Sequence, residues 1–162
     1  MLGNIINMQG ALDATESMIE KSYPVPLISA DELSKRLKKK ENILLFDTRT
    51  SGEYAKSHID GAVLLPPETP ADDFIREHGG LIREKTVVFY CSVGQRSSNY
   101  LQRVYKTCKA EGAKECYNLR GGIFRWYNQG HPVVNENGET DDIHGYNPLW
   151  GMMIEKRNTS RK

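Results

Sequence analysis

The sequence carries almost no net charge, no long apolar run and too few cysteines for a disulfide framework. Its 22 Lys and Arg offset 21 Asp and Glu, leaving +1. That balance gives no electrostatic footprint for nucleic acid and no polybasic membrane signal. No apolar run approaches the roughly 20 residues of a membrane span. The first twenty residues mix apolar side chains with Asn, Gln, Asp13 and Glu16 and lack a basic start, so no secretory signal is expected. Three cysteines point to reduced thiols, and a soluble, cytoplasmic protein is expected. No two of the four histidines lie three to five residues apart. Neither a metal nor a cofactor is implied, and internal repeats and low-complexity blocks are absent.

What is present suits one domain, since 162 residues fall in the usual single-domain range. Residues 1–23 read as an N-terminal extension, helical or loose, and 24–134 as the folded core. Ser29 with Glu32 predicts a capping box, and Ile28 with Leu33 a hydrophobic staple. Leu33 and Leu37 then face inward, and Lys38, Lys39 and Lys40 make a solvated helix end. The continuous apolar run Ile43-Leu44-Leu45-Phe46 reads as a strand covered on both faces. Thr50 and Glu53 predict a second capping box, and 62–65 another buried strand. A helix is expected over 71–78, ended by Gly79-Gly80. The strongest strand signal is Thr86-Val87-Val88-Phe89-Tyr90. Tyr100, Leu101, Val104, Tyr105 and Cys108 recur at helical spacing up to Gly112. A last strand over 116–119 leads through Arg120-Gly121-Gly122 to a short helix. Strands alternating with helices predict an α/β fold with a parallel sheet. Its ligands are expected beyond the carboxyl ends of the strands.

Cys91 falls at that position, directly after the strongest strand. Ser92-Val93-Gly94-Gln95 is long enough only to turn around the thiol. Gly94 can take positive φ, which turns successive backbone N–H groups inward as an anion nest. The following helix adds free N–H groups and its positive dipole end, and Arg96 adds a full charge. All three favour a thiolate able to meet an anionic substrate. Cys108, on an apolar helix face, and Cys116, in a strand, read as core packing; a resolving thiol is the minority alternative for either.

Cys91-Ser92-Val93-Gly94-Gln95-Arg96-Ser97 resembles the Cys-x-x-Gly-x-Arg-Ser active loop of single-domain rhodaneses. Upstream, Leu45-Phe46-Asp47-Thr48-Arg49, Glu53-Tyr54 and Ser57-His58-Ile59-Asp60-Gly61-Ala62 resemble the same family. Downstream, Leu119-Arg120-Gly121-Gly122-Ile123 with Trp126 and Gly130 resembles its closing segment. These motifs cover most of 25–134. The resemblance implies an α/β fold, a single rhodanese-like domain with a five-stranded parallel sheet and helices on both faces. It implies a sulfurtransferase in which Cys91 carries the sulfur. The backbone of Ser92, Val93, Gly94, Gln95, Arg96 and Ser97 would cradle the persulfide and an anionic donor. Asp47 and Arg49 would brace the loop, and His58 would bond locally. Ser57 and Asp60 replace the usual glycine and proline around His58. Ser92 stands where two-domain thiosulfate enzymes place an arginine, and the loop lacks the ending of mercaptopyruvate enzymes. Thiosulfate or a protein persulfide therefore fits better than mercaptopyruvate as donor, with a thiol or protein acceptor and neither nucleic acid nor membrane as partner.

Two other classes compete. Cysteine-based phosphatases and arsenate reductases on this fold use a Cys-x5-Arg loop, whereas four residues separate Cys91 from Arg96. A non-catalytic binding module is the second, because a fold does not dictate function; inactive relatives usually lack the cysteine. In the tail, 135–162, residues 135–142 read as a polar loop. Beyond them Trp150, Met152, Met153 and Ile154 are apolar enough to pack back on the domain, with a partner or dimer contact as the alternative. Asn158-Thr159-Ser160 matches a glycosylation triplet, read as chance without a secretory signal.

Overall fold

A computed structural model describes residues 2–155; the Asn158-Thr159-Ser160 triplet lies outside them. Five strands, β1 (Leu27–Ile28), β2 (Ile43–Asp47), β3 (Val63–Leu64), β4 (Thr86–Tyr90) and β5 (Glu115–Leu119), form one sheet. All neighbours in it are parallel and the order is β1-β5-β4-β2-β3. The central strand β4 is buried at every residue, which is why it reads as continuous apolarity rather than alternation.

Period-two geometry sends alternate β4 side chains to opposite layers. Val88 and Tyr90 join Leu45, Leu119, Leu33 and Phe124 in one core, under α2 (Ala30–Lys38) and α6 (Gly122–Asn128). Val87 and Phe89 join Phe46, Phe74, Tyr100 and Cys108 in the other, under α4 (Ala71–Ile82) and α5 (Gln95–Ala110). The long first helix, α1 (Leu2–Ser22), buries Leu12 and Ile19 in the first core. It is also tied to α6 and the segment before it by ion pairs. Glu16 meets Arg125 at 2.8 Å, Asp13 meets the same guanidinium, and Glu20 meets Arg120 at 2.6 Å.

Local signals are kept in some places and overridden in others. Thr50 and Glu53 close a reciprocal capping box on α3 (Ser51–Lys56). Only half of the Ser29 box forms: the Ser29 hydroxyl accepts from the Glu32 amide at 3.1 Å, but the Glu32 carboxylate turns to Arg36. The expected stop at Gly79-Gly80 does not occur, and α4 runs on to Ile82, which is fully buried. Burying an isoleucine contributes about 1.5–3 kcal/mol, against about 1 kcal/mol lost per helical glycine. The strand expected over 62–65 contracts to β3, with both residues half-buried. Residues 135–142, read as a polar loop, include part of an antiparallel hairpin of β6 (Val133–Asn135) and β7 (Gly138–Thr140). Gly138 takes φ +105° at its turn. Past the hairpin Met153 is buried, and Ile143, Trp150 and Ile154 pack against the first core; Met152, expected to pack with them, is instead exposed.

Candidate active site

Strand β4 delivers Cys91 to the carboxyl end of the sheet, and the chain must then reverse into α5. Gly94 makes the turn at φ +107° as the residue capping α5, a conformation costly for any residue with a Cβ. Its N–H donates to Cys91 Sγ at 3.2 Å, and the Ser97 hydroxyl lies 3.4 Å from the same sulfur. The amides of residues 95–97 form the first turn of α5 and have no intrahelical acceptor. The cradle's floor is the start of α6. Ile123 and Phe124 donate their N–H groups to the Cys91 and Ser92 carbonyls at 2.9 and 3.0 Å. The loop's carbonyls thus face α6, and the Gly94 N–H faces the thiol.

Cys91, Ser92, Val93, Gly94 and Ser97 are buried, Arg96 is partly buried and Gln95 is exposed. Val93 belongs to the first core, so only its backbone faces the cradle's work. Ser97 also donates to Asn118 Oδ1 of β5 at 2.6 Å, and Asn118 is itself buried.

Arg96 brings less charge to the thiol than its place in the loop implies. Its guanidinium forks onto Glu53 at 2.7 and 2.9 Å and donates to the Ser92 hydroxyl at 2.8 Å. The Ser92 hydroxyl in turn donates to Glu53 at 3.1 Å, and the Tyr146 ring covers the guanidinium at 4.3 Å. Burial pushes the Glu53 carboxyl up, but hydrogen bonds and charge from Arg96 outweigh it and hold the group at about 2. Burial pulls Arg96 down, and its bonds to Glu53 together with the charge of Cys91 carry it above its ordinary value.

Asp47 and Arg49 form a fully buried fork at 2.8 and 2.6 Å. They do not bond to the 92–97 loop as the bracing role implies. Arg49 donates instead to the Ser57 carbonyl at 2.7 Å, and its guanidinium lies over the Tyr90 ring. The residue between them, Thr48, holds the strand end: its N–H and hydroxyl donate to the Tyr90 carbonyl at 2.8 and 3.0 Å. Burial pulls Arg49 down, and the Asp47 carboxylate more than restores it. His58 stacks on Tyr54 at 3.7 Å with Nδ1 2.8 Å from the Tyr54 carbonyl, the local role expected.

Cys108 and Cys116 are buried together in the second core. The neighbouring Cys116 thiol and burial push the Cys108 thiol up. Among the described residues no group of three His, Cys, Asp or Glu side chains could hold a metal ion. No helix among them is long and apolar enough to cross a membrane.

Three residues of the site escape sequence reasoning. Glu53 reads from the sequence as a cap residue alone, and its partner Arg96 is 43 residues away. Asn118 sits inside a strand pattern, and Tyr146 lies in the tail. Gly122 had a visible signal in its glycine pair, without a sign of what it approached.

A five-stranded parallel sheet with a cysteine loop turning into a helix at its carboxyl end, and four residues between Cys91 and Arg96, fits a rhodanese-like domain. The family model described as Rhodanese-like domain matches residues 29–129, and this chain belongs to that family. It is 35% identical over 114 residues to a sulfurtransferase of Allochromatium vinosum, covering 68% of this chain and 96% of the relative. It is 33% identical over 108 residues to a probable adenylyltransferase/sulfurtransferase of Mycobacterium tuberculosis, covering 65% of this chain but 25% of that longer protein. The crystal structure of a thiosulfate sulfurtransferase from Pseudomonas aeruginosa superimposes with a TM-score of 0.62 at 19% identity. That match covers 88% of this chain and 26% of the other and speaks for the fold. The fold and these relatives place the chain among the sulfur-transfer proteins.

Proposed function

We propose that this protein transfers sulfane sulfur through a persulfide on Cys91. The observation that carries the reading is the hydrogen bonding of Cys91 Sγ, which receives the Gly94 N–H at 3.2 Å and has the Ser97 hydroxyl at 3.4 Å. The Gly94 N–H suits a sulfur anion, whether thiolate or persulfide, and the Ser97 hydroxyl joins it when a negative sulfur outcompetes Asn118 for its proton.

The donor is a small sulfur anion such as thiosulfate, or a persulfide. With thiosulfate, the Cys91 thiolate attacks the outer sulfur, the S–S bond breaks, and sulfite departs with the electron pair. With a persulfide, the departing group is a thiolate. In the second half, an acceptor thiolate attacks the outer sulfur of the Cys91 persulfide and regenerates the Cys91 thiolate. A covalent intermediate between two substrates gives ping-pong kinetics. Gly94 and the amides of residues 95–97 hold the transferred sulfur, Ser97 turns its hydroxyl to it, and Arg96 fixes the loop's shape through Glu53 and Ser92. The chemistry needs reduced thiols, and all three cysteines are free, which suits the cytoplasm.

Thiocyanate release is the direct assay, using cyanide as acceptor and either thiosulfate or glutathione persulfide as donor. Turnover with parallel double-reciprocal plots, lost in Cys91→Ser, is expected. Turnover that survives in Cys91→Ser would overturn the assignment.

A further inference from the structure

A guanidinium has five N–H donors in a planar fork, and in this protein three of those of Arg96 are spent on Glu53 and Ser92. Both terminal nitrogens bond to Glu53, one also to Ser92, and Nε is buried without a partner. Tyr146 covers a face of the group. Glu53 is 1% exposed and Cys91 0%, so charges at the site are poorly screened by water. The pair is neutral as a unit. The neighbouring buried cation, Arg49, is matched in the same way by Asp47.

With Cys91 ionised, the loop carries one net negative charge. Thiosulfate would add two more, facing only backbone N–H groups and the Ser97 hydroxyl. An alkyl persulfide adds one, or none when protonated. We infer that Glu53 is a specificity-determining residue which, by neutralising Arg96, makes the site select alkyl persulfides over dianionic thiosulfate as sulfur donors. This rests on the Cys91 persulfide reading. In the selected step the Cys91 thiolate attacks the outer sulfur of R–S–SH and forms a new S–S bond. The donor's S–S bond breaks with its electron pair going to R–S⁻, and the proton stays on the Cys91 persulfide.

The test measures initial rates of sulfur loading by intact mass with thiosulfate, glutathione persulfide and a persulfidated cysteine peptide. Both persulfides are expected to load the wild type faster than thiosulfate; whichever leads identifies a small-molecule or a protein source. Glu53→Gln keeps one acceptor oxygen for Thr50, presents its NH2 to the Ser92 hydroxyl oxygen, and frees the Arg96 charge. It is expected to move the thiosulfate-to-persulfide rate ratio toward thiosulfate by about tenfold, the scale of one poorly screened charge. Salt offers a check on the wild type that needs no variant. Repulsion is screened as ionic strength rises, so thiosulfate loading should accelerate more than persulfide loading. Thiosulfate loading as fast as persulfide loading in the wild type, or a ratio indifferent to both Glu53→Gln and salt, overturns the inference while leaving the persulfide reading intact. Absence of loading from every donor would instead overturn that reading itself.

Discussion

Gly122 lies so close under Cys91 that a Cβ there would stand 2.5 Å from the Cys91 carbonyl oxygen and 2.4 Å from that of Ser92. Its φ of +59° adds backbone strain for any other residue. The contact lets the first amides of α6 reach the loop's carbonyls. Gly122→Ala is therefore expected to cost about 1–3 kcal/mol of stability and to slow sulfur loading. Thermal unfolding and single-turnover loading check both, and a variant with native stability would mean the loop does not depend on this approach.

Ser97 has one hydroxyl proton and two claimants, Asn118 Oδ1 at 2.6 Å and Cys91 Sγ at 3.4 Å. The shorter contact wins, so in the resting site the Ser97 oxygen faces the sulfur as an acceptor. Asn118→Leu removes the competitor and should speed iodoacetamide alkylation of Cys91 at fixed neutral pH. Ser97→Ala, which takes no donor from the resting sulfur, should leave the rate near that of the wild type, and the double variant should lose the acceleration. An acceleration that persists without Ser97 would contradict this arrangement.

Arg49→Met leaves the Asp47 carboxylate buried without its cation, a loss of about 3–5 kcal/mol. The Asp47→Asn/Arg49→Met double variant removes both charges and should be less destabilised than the two single losses added together. Urea denaturation of the four proteins measures the coupling. Additive losses would mean that the fork contributes nothing as a pair.

Glu53 predicts an acid limb of the stability curve. Its carboxyl is held at about 2 in the folded protein against an ordinary value of 4.5. A lowered carboxyl contributes stability that is fully present above its unfolded value and lost as pH falls toward the folded one. Between pH 4.5 and about 2, the wild type should thus lose stability more steeply than Glu53→Gln. Equal slopes in denaturant titrations across that window would count against the ion pair.

The order of elements was legible because most of their signals are local. β4 is apolar throughout, the Thr50–Glu53 box lies within one turn, and Cys91 with Gly94 announces a tight reversal. Signals failed where tertiary packing decided. Burial of Ile82 carried α4 through two glycines. The β6–β7 hairpin is built from strands of three residues each, too short for an alternating pattern to register. Arg96 was visible as a charge beside Cys91, but the carboxylate that neutralises it comes from another helix. The electrostatics of the site therefore had to be read from the fold.

The central claim is that sulfur travels on Cys91. Its most direct test is mass spectrometry of the protein, intact and after proteolysis, following brief exposure to glutathione persulfide and separately to thiosulfate. The account predicts a gain of one sulfur atom on the peptide containing Cys91, removed by cyanide as thiocyanate and absent from Cys91→Ser. A folded protein that gains no sulfur from either donor, or gains it on Cys108 or Cys116 instead, would contradict it.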